Sequence, residues 1–128
     1  MGDKIPRPTD AELAILNVLW LRGPSTVREV HDALSSTHDT GYTTVLKLLQ
    51  IMTDKGLVDR DESARAHVYK TRYSEQRTQR QLLGDLIDRA FRGSPAQLVM
   101  QALSATRASA EELTAIRQLL ERMEGDAK

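Results

Sequence analysis

Cysteine is absent from this chain, and its absence removes disulfides, thiolate metal sites, redox sensing and thiol nucleophiles in one step. Net charge is missing as well. The 18 Lys+Arg balance 18 Asp+Glu, so no overall positive field draws the protein onto a polyanion. No apolar run reaches the ~18 residues of a membrane helix, and the N-terminus lacks a signal-peptide profile, so a cytoplasmic protein without membrane insertion is expected. Repeats and low-complexity tracts are lacking too; only the ends, residues 1–7 and 125–128, read as disordered. Enzyme chemistry finds no constellation. His31, His38 and His67 are scattered over a helix, a linker and a strand, and each reads as a solvated or capping histidine. Gly41 and Gly56 are too isolated to cradle phosphates, and the acidic group Asp59, Asp61 and Glu62 reads as a soluble turn. No catalysis, metal or cofactor is expected.

What is present is helical periodicity. Thr9 with Glu12, and Thr26 with Glu29, have the spacing at which each side chain satisfies an orphan amide of the other's turn. The first pair opens a helix with Leu13, Leu16, Asn17 and Trp20 on one stripe, widened by Leu19 and stopped at Arg22-Gly23-Pro24; Trp20 is expected to anchor the core. The second opens a shorter helix carrying Val27, Val30 and Leu34. After a polar linker at 35–40, residues 41–56 form a third helix, with Val45, Leu48, Leu49 and Met52 at i, i+3, i+4 and i+7 and Gly56 beyond the last turn. Its other face presents Thr43, Lys47, Gln50 and Asp54. Short hydroxyls, an amide and an ammonium suit a helix lying in a DNA major groove, where they can meet base edges and phosphates. Three helices in this order are a helix-turn-helix unit with the reading helix last.

Past Gly56 the period turns to alternation at 57–60, a charged tip follows at 61–65, and alternation resumes at 66–73. That is a β-hairpin, and one packed behind a reading helix is a wing. Arg65 and His67 flank its tip, within reach of backbone phosphates or the minor groove. Between Arg65 and Arg80 the cations Arg65, Lys70, Arg72, Arg77 and Arg80 face Glu75 alone, so a basic side is local.

From Ser74 onward the pattern is helical. Leu82, Leu83, Leu86, Ile87, Ala90 and Phe91 make a stripe closed by Gly93, Ser94-Pro95 opens a helix with Leu98, Val99, Ala102 and Leu103, and Ser109 with Glu112 opens the last, bearing Leu113, Ile116, Leu120 and Met123. These helices hold many leucines and little aromatic mass. A segment this small seldom builds a sufficient core alone, so its stripes, with Leu82, Leu86, Phe91, Leu98, Leu113, Ile116 and Leu120 as the dimerisation set, are expected to bury against a second copy of the chain. The expected fold is mostly α with a small β-hairpin: a winged helix-turn-helix domain at 1–73 and a C-terminal helical dimerisation domain at 74–128.

The run from Pro8 to Trp20, the Ser25-Thr26-Val27-Arg28-Glu29-Val30 that opens the second helix, and above all Tyr42-Thr43-Thr44-Val45, followed by Lys-Gly-Leu-Val and an Arg-Ala-His-x-Tyr wing, resemble the BlaI/MecI penicillinase-repressor family. The likeness runs from about Pro8 to the last helix. It implies a homodimeric winged-helix repressor on an inverted-repeat operator. By that resemblance Thr43, Thr44 and Lys47 read the major groove, Tyr42 and Thr26 meet the DNA backbone, and Arg65 with His67 serve the wing; Arg28 is a further candidate DNA-binding residue. In the antibiotic-responsive branch a membrane sensor leads to proteolysis, and the matching bond here lies near Gln101-Ala102, where the usual residues are not present. Copper-responsive relatives end in a cysteine cluster, so the missing cysteines exclude thiolate copper sensing.

The expected function is a dimeric repressor of transcription bound to double-stranded operator DNA, with a sensor-linked protease as a further candidate partner. A winged-helix module that docks a protein is the alternative. Zero net charge fits it, whereas the hydroxyl-and-lysine face does not, since protein hot spots favour Trp, Tyr and Arg. A small hydrolase has no supporting constellation.

Overall fold

The computed structural model describes residues 4–127. Its elements are α1 (Asp10–Arg22), β1 (Ser25–Thr26), α2 (Val27–Leu34), α3 (Tyr42–Lys55), β2 (Val58–Asp61), β3 (Val68–Thr71), α4 (Glu75–Ala90), α5 (Pro95–Ala105) and α6 (Ala110–Asp126). The chain forms two compact units whose boundary falls inside α4, between Gly84 and Asp85.

In the first unit, the helix starts follow from capping. Thr9 Oγ1 accepts the Glu12 amide at 3.2 Å while Glu12 Oε1 accepts the Thr9 amide at 2.8 Å, and Thr26 and Glu29 repeat the arrangement at 3.2 and 2.9 Å. The end of α3 is set by Gly56, whose φ of 86° lies in the left-handed region. A Cβ there would also sit 2.8 Å from Arg72 Nη1, the movable end of a side chain, so it is the backbone conformation that calls for glycine.

The core is made by Ile15, Leu16 and Leu19 of α1, Val27, Val30 and Leu34 of α2, and Val45, Leu49 and Met52 of α3, closed by Leu57, Val58 and Tyr69 from the sheet side. The face of α1 differs from the expected stripe: Glu12, Ile15, Leu16 and Leu19 are buried, Asn17 is exposed, and Leu13 and Trp20 are half-buried at the margin. Apolar side chains surround α1 almost completely, so periodicity alone does not select its inner side. Its partner does, because Glu12, only 2 % exposed, must point where Lys55 Nζ reaches it at 2.7 Å. Trp20 is a strut more than a core anchor, its indole donating to the Tyr73 carbonyl at 3.2 Å.

The hairpin is present and gains a strand that the sequence reading lacked. β1 pairs antiparallel with β3 through Ser25↔Tyr69 and Thr26↔Val68, and β3 pairs antiparallel with β2, giving the order β1-β3-β2. The wing is thereby hydrogen-bonded to the segment that caps α2. The expectation of disordered ends is corrected where residues are described. Ile5 is a core residue, and its amide and carbonyl both bond the Gln81 side chain of α4, the amide to Oε1 at 2.8 Å; a branched apolar side chain with a satisfied backbone is held in place. Gly125 lies within α6. Residues 1–3 and 128 lie outside the described residues.

The second unit holds the remainder of α4 with α5 and α6. Ser94 accepts the Gln97 amide at 3.2 Å ahead of Pro95, and Ser109 and Glu112 form a third reciprocal cap at 3.0 Å in each direction. Arg92 (φ 52°) and Gly93 (φ 78°) turn the chain between α4 and α5. No residue of α5 or α6 is buried within the single chain. Among the described residues, no helix is long and apolar enough to cross a membrane.

The Glu12 pair has a pH signature. Burial pushes the carboxyl up, but the Lys55 ammonium and the Thr9 amide and hydroxyl outweigh it and hold Glu12 below its ordinary value of 4.5. A depressed carboxylate contributes stability that is present above the unfolded value and is lost as pH falls through the folded one. Glu12→Gln should therefore cost about 1–3 kcal/mol at neutral pH, the worth of a hydrogen bond to a charged group. Urea titrations below pH 4.5 should show the gap between wild type and variant closing; a constant gap would refute the assignment.

Candidate nucleic-acid interface

Because Val45, Leu49 and Met52 turn inward, Thr43, Lys47, Gln50 and Asp54 are carried to solvent, and all four are exposed. This is the polar face expected from the sequence. Thr44 is also exposed but borders a small cleft with Ala14, His38 and Leu48, so it stands on the α1 side of the helix, apart from Thr43 and Lys47. Gly41, in extended conformation at the N-cap, supplies no side-chain bond to the first turn of α3. The leading amides of α3 therefore keep their donor capacity toward solvent.

On α2, burial of Val27, Val30 and Leu34 directs Arg28 outward. Its guanidinium lies 5.6 Å from the centroid of the Tyr42 ring, and His31 meets the same ring edge-on, 6.1 Å between centroids at 66°. The first residue of α3 is thus held between two basic side chains of α2. Across from them stands the wing loop. Thr26, Arg28, Tyr42, Leu46, Arg65 and His67 line one groove of about 400 Å³, so five residues picked out separately in the sequence converge on one place. Thr26 uses its oxygen to accept the Glu29 amide, which leaves its hydroxyl hydrogen to donate outward. Bonds from Thr26, its amide first, hold the Glu29 carboxyl below the ordinary range.

The charges of the wing sort into paired and free. Arg72 is bound to Asp59 through Nη2 at 2.6 Å and Nε at 3.1 Å, Arg60 meets Glu62 at 2.7 Å, and Asp61 is held low chiefly by the Ser63 amide, with the charge of Lys70 adding. Arg77 lies over the Tyr73 ring at 4.9 Å. The basic side counted from the sequence is accordingly smaller than it looked, because Arg72 is neutralised within its own hairpin. Lys47 and Arg65, by contrast, make no ion pair among the described residues.

The dimerisation set falls on α4, α5, α6 and the turn after α4. Leu86, Leu113 and Leu120 are exposed, and Leu82, Phe91, Leu98 and Ile116 are half-buried. Gln101 and Ala102 are exposed within helical α5. Among the described residues no group of three or more His, Asp or Glu could hold a metal ion. His31, which sequence reading took as a solvated or capping histidine, is found against the Tyr42 ring. Its only signal was the three-residue spacing from Arg28, which puts both on one side of α2.

Three helices, the last with an open polar face, and a short sheet ending in a basic wing define the winged helix-turn-helix class. The family model described as penicillinase repressor matches residues 8–122, and the chain belongs to that family. The transcriptional regulator BlaI of Mycobacterium tuberculosis is 34% identical over 122 residues, covering 94% of this chain and 88% of its own. The penicillinase repressor of Bacillus licheniformis is 27% identical over 118 residues, 92% of each. Among solved structures, Bacillus licheniformis BlaI in monomeric form with the blaP half-operator superposes with a TM-score of 0.51 at 30% identity, over 57% of this chain and 89% of that one. A MarR family protein of Bacillus stearothermophilus reaches 0.55 over 95% of this chain and 76% of its own at 16% identity, a likeness of fold alone.

The cap that joins α2 to the groove is open to test. Thr26→Ala should lower stability by about 1 kcal/mol, read as a shifted urea midpoint, and Thr26→Ser should restore most of it. Equal losses in both variants would show that the methyl group, not the hydroxyl, matters.

Proposed function

We propose that this protein is a homodimeric, cytoplasmic repressor of transcription that binds inverted-repeat operator DNA, one winged helix to each half-site. The observation that carries the reading is the convergence of Thr26, Arg28, Tyr42, Arg65 and His67 on one groove beside the exposed Thr43 and Lys47 of α3. In this reading α3 enters the major groove with Thr43 and Lys47 toward base edges and Thr44, on the α1 side of the helix, at the margin of that contact. Thr26, Arg28 and Tyr42 take backbone phosphates, and the wing contributes Arg65 and His67. The relative solved with a half-operator supports DNA over a protein as the partner, and so does a face poor in apolar anchors. Nothing in this role calls for catalysis or a cofactor.

Residues 1–73 serve as the DNA-binding domain and 74–128 as the dimerisation domain. Support for the second comes from Leu86, Met100, Leu113, Leu120 and Met123, 42–69% exposed in the single chain, more apolar surface than a lone helical unit leaves to water. A sensor-linked protease acting at Gln101-Ala102 would have to unwind α5 first, since that bond lies inside the helix.

Binding should weaken steeply with salt through counterion release. Lys47→Ala and Arg65→Ala should each reduce the slope of log affinity against log salt by about one; unchanged slope and affinity in either would remove that residue from the interface. A chain ended at Gly84 keeps Gln81 with Ile5. It should sediment as a monomer and bind an operator duplex far more weakly than the full chain, whereas a full-length monomer would overturn the assembly.

A further inference from the structure

We infer that His31 is a further binding residue of this interface, and that it takes up a proton as duplex DNA binds; the inference rests on the DNA-binding reading above. His31 and Arg28 leave α2 on the same side and meet one ring, that of Tyr42, at 6.1 and 5.6 Å. Tyr42 begins α3 and lines the groove with Arg28 and Arg65; His31 does not line the groove itself but meets the ring that does, so a phosphate held by Arg28 at that ring would come near it. The chemistry of the ring sets the coupling. His31 Nδ1 stands 3.3 Å from Asp32 Oδ1, which favours the tautomer with the proton on Nδ1. Neutral, that ring offers only a lone pair at Nε2, which a phosphate oxygen repels; protonated, it offers an N–H donor and a positive charge.

Among the described residues, the charged and titratable groups that meet His31 are Asp32 on its own helix and Tyr42 on α3, whose ring Arg28 also meets. An anion held near the ring attracts the charge that protonation adds, so protonation and DNA binding favour each other, and by linkage each strengthens the other equally. With equal numbers of acidic and basic residues, 18 of each, the protein has no large surplus of charge against which one added cation would be lost. His67 lines the groove itself and adds to the effect. His38 does not line that groove: its Nδ1 is 2.8 Å from Thr37 Oγ1, and it borders clefts against α1 with Ala14 and Leu34, one of them shared with Thr44.

The test is fluorescence anisotropy of the full chain with a labelled duplex that the protein itself selects from a random-sequence pool, at fixed ionic strength. From about pH 8 to about pH 6 the wild-type affinity should rise on the order of tenfold, the span over which histidine ordinarily gains its charge. His31→Gln should cut the rise to about threefold, the part left to His67. His31→Arg should bind at high pH as the wild type does at low pH, with the shallow profile of the Gln variant, and His38→Gln should keep the wild-type profile. Melting curves accompany each variant, and should the Gln form unfold, the Arg form decides alone. A His31→Gln profile parallel to wild type, an Arg profile as steep as wild type, or a flat wild-type profile with binding intact, would overturn the inference. Failure to select or bind any duplex at low salt would instead overturn the DNA-binding reading.

Discussion

One ion pair sets the angle of the helix on which the interface depends. Glu12 is nearly inaccessible, and its carboxylate serves two ends at once, closing the first turn of α1 through the Thr9 amide and holding the last turn of α3 through Lys55. A buried carboxylate without a counterion would be severely destabilising, so α3 cannot slide or roll on α1 without giving up that contact. The apolar residues Val45, Leu49 and Met52 keep α3 on the core, but apolar packing tolerates small shifts better than a hydrogen-bonded charge does. The opposite end of α3 is located by Tyr42 between Arg28 and His31. The helix is pinned at both termini by charged or aromatic contacts and greased along its length by aliphatic ones.

Zero net charge would seem to disqualify a protein from DNA, and the arrangement of the charges shows why it does not. Acidic residues of the wing are largely consumed internally: Asp59 by Arg72, Glu62 by Arg60, Asp61 by its own turn. Arg28, Lys47 and Arg65 are left outside any ion pair among the described residues. Attraction acts over roughly a Debye length, about 8 Å at physiological salt, so which side chains are already paired matters more than the total.

Much of this was legible in the chain. All three reciprocal caps, at Thr9, Thr26 and Ser109, open helices as their spacing indicates, because capping is a local matter between residues three apart. The outward face of α3 was equally readable, since its inner stripe is unambiguous. What escaped reading depended on distant partners. A two-residue strand such as β1 has no pattern of its own and exists only through Tyr69 and Val68. Ile5 is ordered by Gln81, 76 positions away, and the inner face of α1 was obscured by apolar residues on nearly every side. The candidate site divides along the same line. Its individual residues could be named from motif and resemblance, whereas their convergence on one groove, the loss of Arg72 to Asp59 and the place of His31 beside Tyr42 are products of tertiary packing.

The open leucine-rich faces of α5 and α6 bear on how such a protein would behave in a cell. Under the proposed assembly, helices with no fully buried residue in their own chain draw much of their stability from a partner, and that stability is a mass-action quantity. Dilution then removes not only the second half-site contact but the fold of the tail itself. Occupancy of a palindromic site would climb with about the square of the amount of protein while monomers predominate, so a modest fall in supply is amplified into a sharp release.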